Sequence, residues 1–201
     1  RAKYDPVQIA RDVIKDIGYV HQRMGLSPKV EPVVKIKKQS PDIKRGVDSL
    51  VVENIGAGDQ GIMIGYASNE TPELMPAPIM KAHQLVFKVD TLRKNNQLKW
   101  LRPDGKAEVV MVRDKKTHEV IRVDKVVVSV QHEPWIKHRQ IYEAVLEQII
   151  KPVMGELYKR GQTQVYVNPT GRFVTGGPQS DTGFTGRKKP TLTECASMLF
   201  G

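Results

Sequence analysis

Three glycines within six residues, Gly56-Ala57-Gly58-Asp59-Gln60-Gly61, constrain this chain more than any other stretch. Glycine reaches backbone angles closed to other residues, and its missing Cβ lets a neighbouring group come close. The run also satisfies G-x-G-x-x-G, the spacing of a dinucleotide-binding turn. That turn needs a helix to open at its glycines, so that the helix N-terminus faces a pyrophosphate. Here Ile62, Met63, Ile64 and Tyr66 follow, then Asn69, Thr71 and Pro72. That is strand chemistry running into a turn. Asp59 would also set a negative charge where the pyrophosphate should lie. The local reading is a glycine turn that enters a strand and carries Asp59.

At 201 residues the chain accommodates one domain or two small ones and is long enough to bury a core. It has no apolar run of membrane-spanning length, so no membrane partner is expected. Its start, Arg1-Ala2-Lys3-Tyr4-Asp5-Pro6, lacks the apolar stretch of a secretory signal. The single cysteine, Cys195, excludes an internal disulfide and a cysteine-built metal site. A cytoplasmic location is the expectation. The net charge of +10 favours an anionic partner: nucleic acid, nucleotide phosphates or a lipid surface. The cations are dispersed, apart from Lys35-Ile36-Lys37-Lys38 and Arg187-Lys188-Lys189. Dispersal argues against a nucleic-acid stripe, and no nucleic-acid partner is expected.

Apolar residues at helical spacing predict a helix within 5–25, opened by Asp5-Pro6 and stopped by Gly18 or Gly25. Residues 31–38 read as a strand and 39–48 as a loop around Pro41. Strand character returns from Ser49 to Tyr66. Helical spacing resumes over 79–92 through Ala82, Leu85, Val86 and Val89. Residues 99–106 read as a turn-rich connector. Two β-branched runs, 107–113 and 119–132, flank a hairpin loop at 114–118. A helix is predicted over 137–151 and a short strand over 163–167. Strands and helices alternate irregularly around a hairpin, so the fold class is α+β.

Binding residues usually lie on loops held by a scaffold. Three irregular segments qualify: 39–48 with 54–66, then 99–106, then 168–188. In the last, glycines separate Arg172 from Arg187 and Lys188. Backbone N–H groups with guanidinium and ammonium groups make a phosphate cradle; a mobile basic loop is the equal alternative. Lys106, beside Asp104, is a second candidate cation, with a solvated lysine as its alternative. The five histidines lack zinc-ligand spacing and read as surface or packing residues, and Trp100 and Trp135 read as packing residues rather than stacking platforms.

In order along the chain, several segments resemble the S-adenosylmethionine synthetase (methionine adenosyltransferase) family. They are Lys38-Gln39-Ser40-Pro41-Asp42-Ile43, Gly56 to Tyr66, Asn69-Glu70-Thr71 and Leu74-Met75-Pro76-Ala77-Pro78-Ile79. Trp100-Leu101-Arg102-Pro103-Asp104, Ser129-Val130-Gln131-His132 and Asn168-Pro169-Thr170-Gly171-Arg172-Phe173-Val174 continue the series. Gly176-Gly177-Pro178 and Thr185-Gly186-Arg187-Lys188 complete it. The resemblance implies synthesis of S-adenosylmethionine from ATP and L-methionine, with release of phosphate and pyrophosphate. It implies Mg²⁺ and K⁺ as cofactors, and a homodimer or dimer of dimers with the site at the interface. By resemblance, Asp59, Asp104, Lys106, Arg172, Phe173, Asp181, Arg187 and Lys188 contact ATP. Gln39, Asp59 and Asp181 contact methionine, and Lys106, Arg187 and Lys188 assist the chemistry.

The implied fold is a partial copy of a three-unit pseudo-symmetric architecture of mixed sheets packed with helices. Residues 1–70 would end the N-terminal α+β unit, 71–188 form the central unit, and 189–201 make a divergent tail. The family's His-Pro-Asp-Lys segment and its Gly-Gly-Gly-Ala-Phe-Ser signature have no counterpart here, and Ser180 stands where glycine is usual. The family's metal ligands are therefore expected to lie outside this chain, which reads as truncated at both ends. A non-catalytic relative that binds nucleotide, or pairs with a full-length subunit, is the alternative function.

Overall fold

A computed structural model describes residues 4–38, 40–49, 51–57 and 61–180. Its element order is α1 (Pro6–Ile17), α2 (Pro41–Val47), α3 (Ala77–Lys94), β1 (Leu101–Arg113), β2 (Val120–His132), α4 (His138–Val145), α5 (Lys151–Met154) and β3 (Gln164–Val167). The three strands form one sheet in the order β1-β2-β3. β1 and β2 run antiparallel as a hairpin; β3 lies parallel to β2. A parallel partner needs a long crossover, and α4 with α5 supplies it.

The core lies between this sheet and the helices. Leu85 and Val89 of α3, Val126 and Val128 of β2, and Ile141 and Ile149 of the crossover belong to one buried cluster. This is the mixed α+β fold expected. α1 also forms as predicted: the Asp5 carboxylate accepts from the Val7 and Gln8 N–H groups at 2.9 and 3.2 Å, and Gly18 ends the helix. The predicted helix over 137–151 is interrupted. Between α4 and α5 the backbone makes one π turn, Leu146–Ile150, with the Lys151 N–H donating to the Leu146 carbonyl. Pro152 comes directly after. It has no N–H to give and crowds the preceding turn, and widening the turn relieves both.

Five expectations need correction. Residues 39–48 are not all loop, because α2 spans Pro41–Val47. Ser40 caps it through a 3.3 Å bond from the Asp42 N–H, and Pro41 takes a first-turn position where its missing N–H costs nothing. Residues 99–106 are not a free connector, since β1 already begins at Leu101. No strand forms over 31–38 or 61–66. A strand needs a neighbour to take its backbone hydrogen bonds, and neither segment joins the sheet. Ile62 and Met63 stand 89% and 93% exposed in consequence. Trp135 is no packing residue either, being 66% exposed, whereas Trp100 is buried in the core cluster.

At the far end of the hairpin, Glu70 ties the segment before α3 to the sheet. Its carboxylate accepts from Arg113 at 2.6 Å, from the Ala77 N–H at 3.0 Å and from Ser68 Oγ at 2.9 Å. Burial alone would raise its pKa. Hydrogen bonds from Arg113, the Ala77 N–H and Ser68, with the Arg113 charge, outweigh burial and hold it below the usual value of 4.5. A carboxylate with a lowered folded pKa contributes stability that is present above its unfolded value and lost as pH falls through the folded one. Glu70→Gln should cost about 1 kcal/mol at neutral pH. Urea unfolding from pH 7 down to pH 3 should show the gap to the parent protein closing.

Candidate functional site

The candidate residues within the described structure are Asp104, Lys106, Arg172 and Phe173. Gln39, Asp59, Asp181, Arg187 and Lys188 lie outside the described residues. Asp104 sits where β1 begins. The β1–β2 register shifts between the pairs Leu101–His132 and Gly105–Val130, so β1 carries extra residues there. Pro103 falls inside this irregular stretch, the place in a strand where a residue without an N–H is tolerated. The Asp104 N–H donates to Gln131 Oε1 at 3.3 Å, and Asp104 Oδ2 accepts from the Gly177 N–H at 2.7 Å.

The segment bearing Arg172 and Phe173 is fastened to the end of β2. The His132 N–H donates to the Phe173 carbonyl at 2.9 Å, and the Phe173 N–H donates to His132 Nε2 at 3.1 Å. The Val174 carbonyl accepts from Gln131 Nε2 at 2.9 Å and from the Arg102 guanidinium at 3.0 Å. Arg102 also pairs with Glu133 at 3.0 Å, and both side chains are nearly buried. Upstream, the Asn168 amide accepts from the Val130 N–H at 2.8 Å and donates to its carbonyl at 3.0 Å. Buried side chains of β2 and its flanks thus fix a loop that has no ladder of its own.

These ties bring Asp104 and Phe173 together around Gly176. A Cβ on Gly176 would lie 2.8 Å from the Phe173 ring, 2.9 Å from Asp104 Oδ2 and 3.0 Å from Gln131. The side chains of Lys106 and Arg172 form no ion pair or hydrogen bond with another described residue, and both residues are exposed. Lys106 lies on β1 rather than in a turn and borders a cavity of about 50 Å³ shared with Asp90 and Arg93. A larger cleft, about 860 Å³, lies by Glu70 and Arg113 at the other end of the hairpin, where no candidate residue stands. Its size does not make it the site: Glu70 and Arg113 there already satisfy each other, and all four described candidate residues lie elsewhere, on β1 near Asp104 and on the segment fastened to the end of β2.

Tyr19 completes the near wall. It is buried, and its hydroxyl lies against Gly177. Burial raises the phenol's pKa, the Asp104 carboxylate adds to the rise, and Arg93 partly offsets it. The fold therefore holds the proton more tightly than the unfolded chain does. That contribution is whole below about pH 10 and is lost as pH rises through the folded value. Tyr19→Phe should flatten the alkaline loss of stability, read as urea midpoints between pH 8 and pH 11. An unchanged alkaline slope would show that the Tyr19 phenol does not titrate with unfolding.

Sequence reasoning missed the supporting residues. Tyr19, Arg102, Gln131, His132, Glu133 and Asn168 carry no periodicity that announces a polar role. His132 is a packing histidine, as expected, yet it also binds the candidate loop. The available signal was that Gln131-His132 sits next to a buried β-branched run, where polar side chains must find partners. Among the described residues no three His, Cys, Asp or Glu side chains converge on a metal position. Among the described residues Asp104 offers the carboxylate at the cluster, since Glu133 behind it is paired with Arg102. Mg²⁺ can bind through one or two carboxylates when phosphate oxygens supply the rest, so the described residues suit a metal arriving with a phosphate ligand and do not form a metal cage.

No described helix is long and apolar enough to cross a membrane. The family model for the central domain of S-adenosylmethionine synthetase matches residues 54–173, more than half of the chain. The matched stretch holds α3, all three strands, the crossover and the four described candidate residues, and the chain belongs to the S-adenosylmethionine synthetase family.

Proposed function

We propose that this chain takes part in synthesis of S-adenosylmethionine from ATP and L-methionine, with release of phosphate and pyrophosphate. The observation that carries the reading is the pairing of Asp104 with Phe173 across Gly176, with the uncommitted cations Lys106 and Arg172 nearby, inside the family-matched stretch. A thioether sulfur bears no proton and is already a nucleophile, so its attack on ribose C5′ needs neither a general base nor an activated serine or cysteine. What the protein supplies is alignment and a positive setting for the departing triphosphate. Lys106, Arg187 and Lys188 supply that charge. Arg172 and Phe173 hold the nucleotide with Asp104, and Gln39, Asp59 and Asp181 orient methionine.

Mg²⁺ would enter with the triphosphate and neutralise its oxygens, and K⁺ is taken as the second cation of the family. A homodimer or dimer of dimers with a shared site, and three similar α+β units in the whole enzyme, are the assembly and fold we infer. A central unit over 71–188, preceded by the end of another, is the domain division that goes with them.

The test is S-adenosylmethionine formation from ATP and methionine by this chain, alone and mixed with a full-length family subunit, beside equilibrium binding of ATP. ATP binding is expected in both settings. Lys106→Met should weaken it about tenfold, the worth of one charge-assisted contact. Absence of ATP binding and of product in both settings would overturn the reading.

A further inference from the structure

We propose that His132 is a positioning residue for nucleotide binding, whose bare Nε2 holds the Phe173 backbone and so aims the Phe173 ring. The inference rests on the nucleotide reading above. His132 is 4% exposed. Its backbone N–H and its ring both engage Phe173, at 2.9 and 3.1 Å, while Nδ1 lies 2.9 Å from the Glu133 carbonyl. A backbone N–H can only donate, so Nε2 must accept. A carbonyl can only accept, so Nδ1 must carry the proton. One tautomer satisfies both partners. With each nitrogen committed inside the protein, the imidazole has none left for a ligand and acts through Phe173.

The leverage is geometric. The Phe173 ring and Asp104 Oδ2 flank the same point above Gly176 at 2.8 and 2.9 Å, so a small displacement of the Phe173 backbone changes the ring's station relative to Asp104. Lys106 is carried on β1, away from that loop, and would keep its place. Loss of the His132 contact should therefore weaken ligands that need the aromatic wall and spare a polyphosphate held by cations off that loop, such as Lys106.

Ring ¹⁵N spectra of the full chain near neutral pH should show His132 protonated on Nδ1 and bare on Nε2. The opposite tautomer, or protonation of both nitrogens, would overturn the assignment whether or not nucleotide binds. The chain and two variants are then titrated with ATP and with tripolyphosphate. His132→Leu removes the acceptor, and His132→Gln keeps an oxygen near the Nε2 position. His132→Leu should bind ATP about tenfold more weakly and tripolyphosphate almost unchanged, and His132→Gln should recover most of the ATP affinity. Equal weakening of both ligands, or no recovery in His132→Gln, means a merely structural histidine and sinks the proposal. If His132→Leu does not fold, His132→Gln decides alone: ATP affinity near that of the parent supports the acceptor role, and affinity lost with the fold intact refutes it. Failure of the parent chain to bind either ligand would count against the nucleotide reading, leaving the tautomer to judge the His132–Phe173 contact.

Discussion

Glu133→Ala should destabilise the protein by about 3–5 kcal/mol, because it strands a buried guanidinium. Arg102 is 7% exposed at its side chain and Glu133 12%. Among the described residues the Arg102 Nε already lacks a partner. Only the Glu133 carboxylate and the Val174 carbonyl, among the described residues, therefore compensate this cation for the water it has lost. Removing one partner leaves the other's desolvation uncompensated, which is costlier than deleting both. The paired substitution Arg102→Met with Glu133→Leu should accordingly recover most of the loss. Urea unfolding of the parent chain and both variants measures the two effects. A loss under about 1 kcal/mol in Glu133→Ala would mean that Arg102 finds solvent and that the pair contributes little. Since Arg102 also holds the Val174 carbonyl, the same variant should loosen the loop bearing Arg172 and Phe173.

Gly177→Ala should cost about 2–5 kcal/mol, combining an αL penalty with overpacking. Gly177 has φ +64°, and a Cβ there would overlap the Tyr19 hydroxyl and lie 2.6 Å from the ring carbon that bears it. The phenol would have to leave its buried seat, and the Gly177 N–H would be pulled from Asp104 Oδ2. A double-mutant cycle separates the causes. On a Tyr19→Ala background, Gly177→Ala should cost only its backbone part, about 1–2 kcal/mol. Equal costs on both backgrounds would show that Tyr19 does not constrain this turn.

Much of the fold was legible because local rules and tertiary packing agree there. The Asp5-Pro6 cap, the helical spacing through Ala82, Leu85 and Val89, and the two β-branched runs around residues 114–118 each formed where the pattern placed them. Pro41 misled for a physical reason: the same ring that breaks a helix interior suits its first turn, and only the Ser40 cap distinguishes the two. The apolar run 61–66 misled for another, since alternation describes a strand's faces and says nothing about whether a neighbouring strand is present.

The glycine run Gly56 to Gly61 reads locally as a turn carrying Asp59. Gly58, Asp59 and Gln60 lie outside the described residues, so the turn's geometry and the Asp59 role stand as part of the proposal. The segment after the turn departs from its local reading: residues 61–66 are not a strand here.

By itself the sequence determined the fold class, the hairpin, the main helices and the family, since caps, periodicity and ordered motifs are properties of neighbours along the chain. Only the tertiary structure decided that Tyr19, Arg102, Gln131, His132 and Glu133 build the walls around Asp104 and Phe173. The contacts that do so join residues 31, 41 and 73 positions apart. A buried polar side chain takes its meaning from whichever donor or acceptor folding brings within about 3 Å, and no spacing along the chain records that partner.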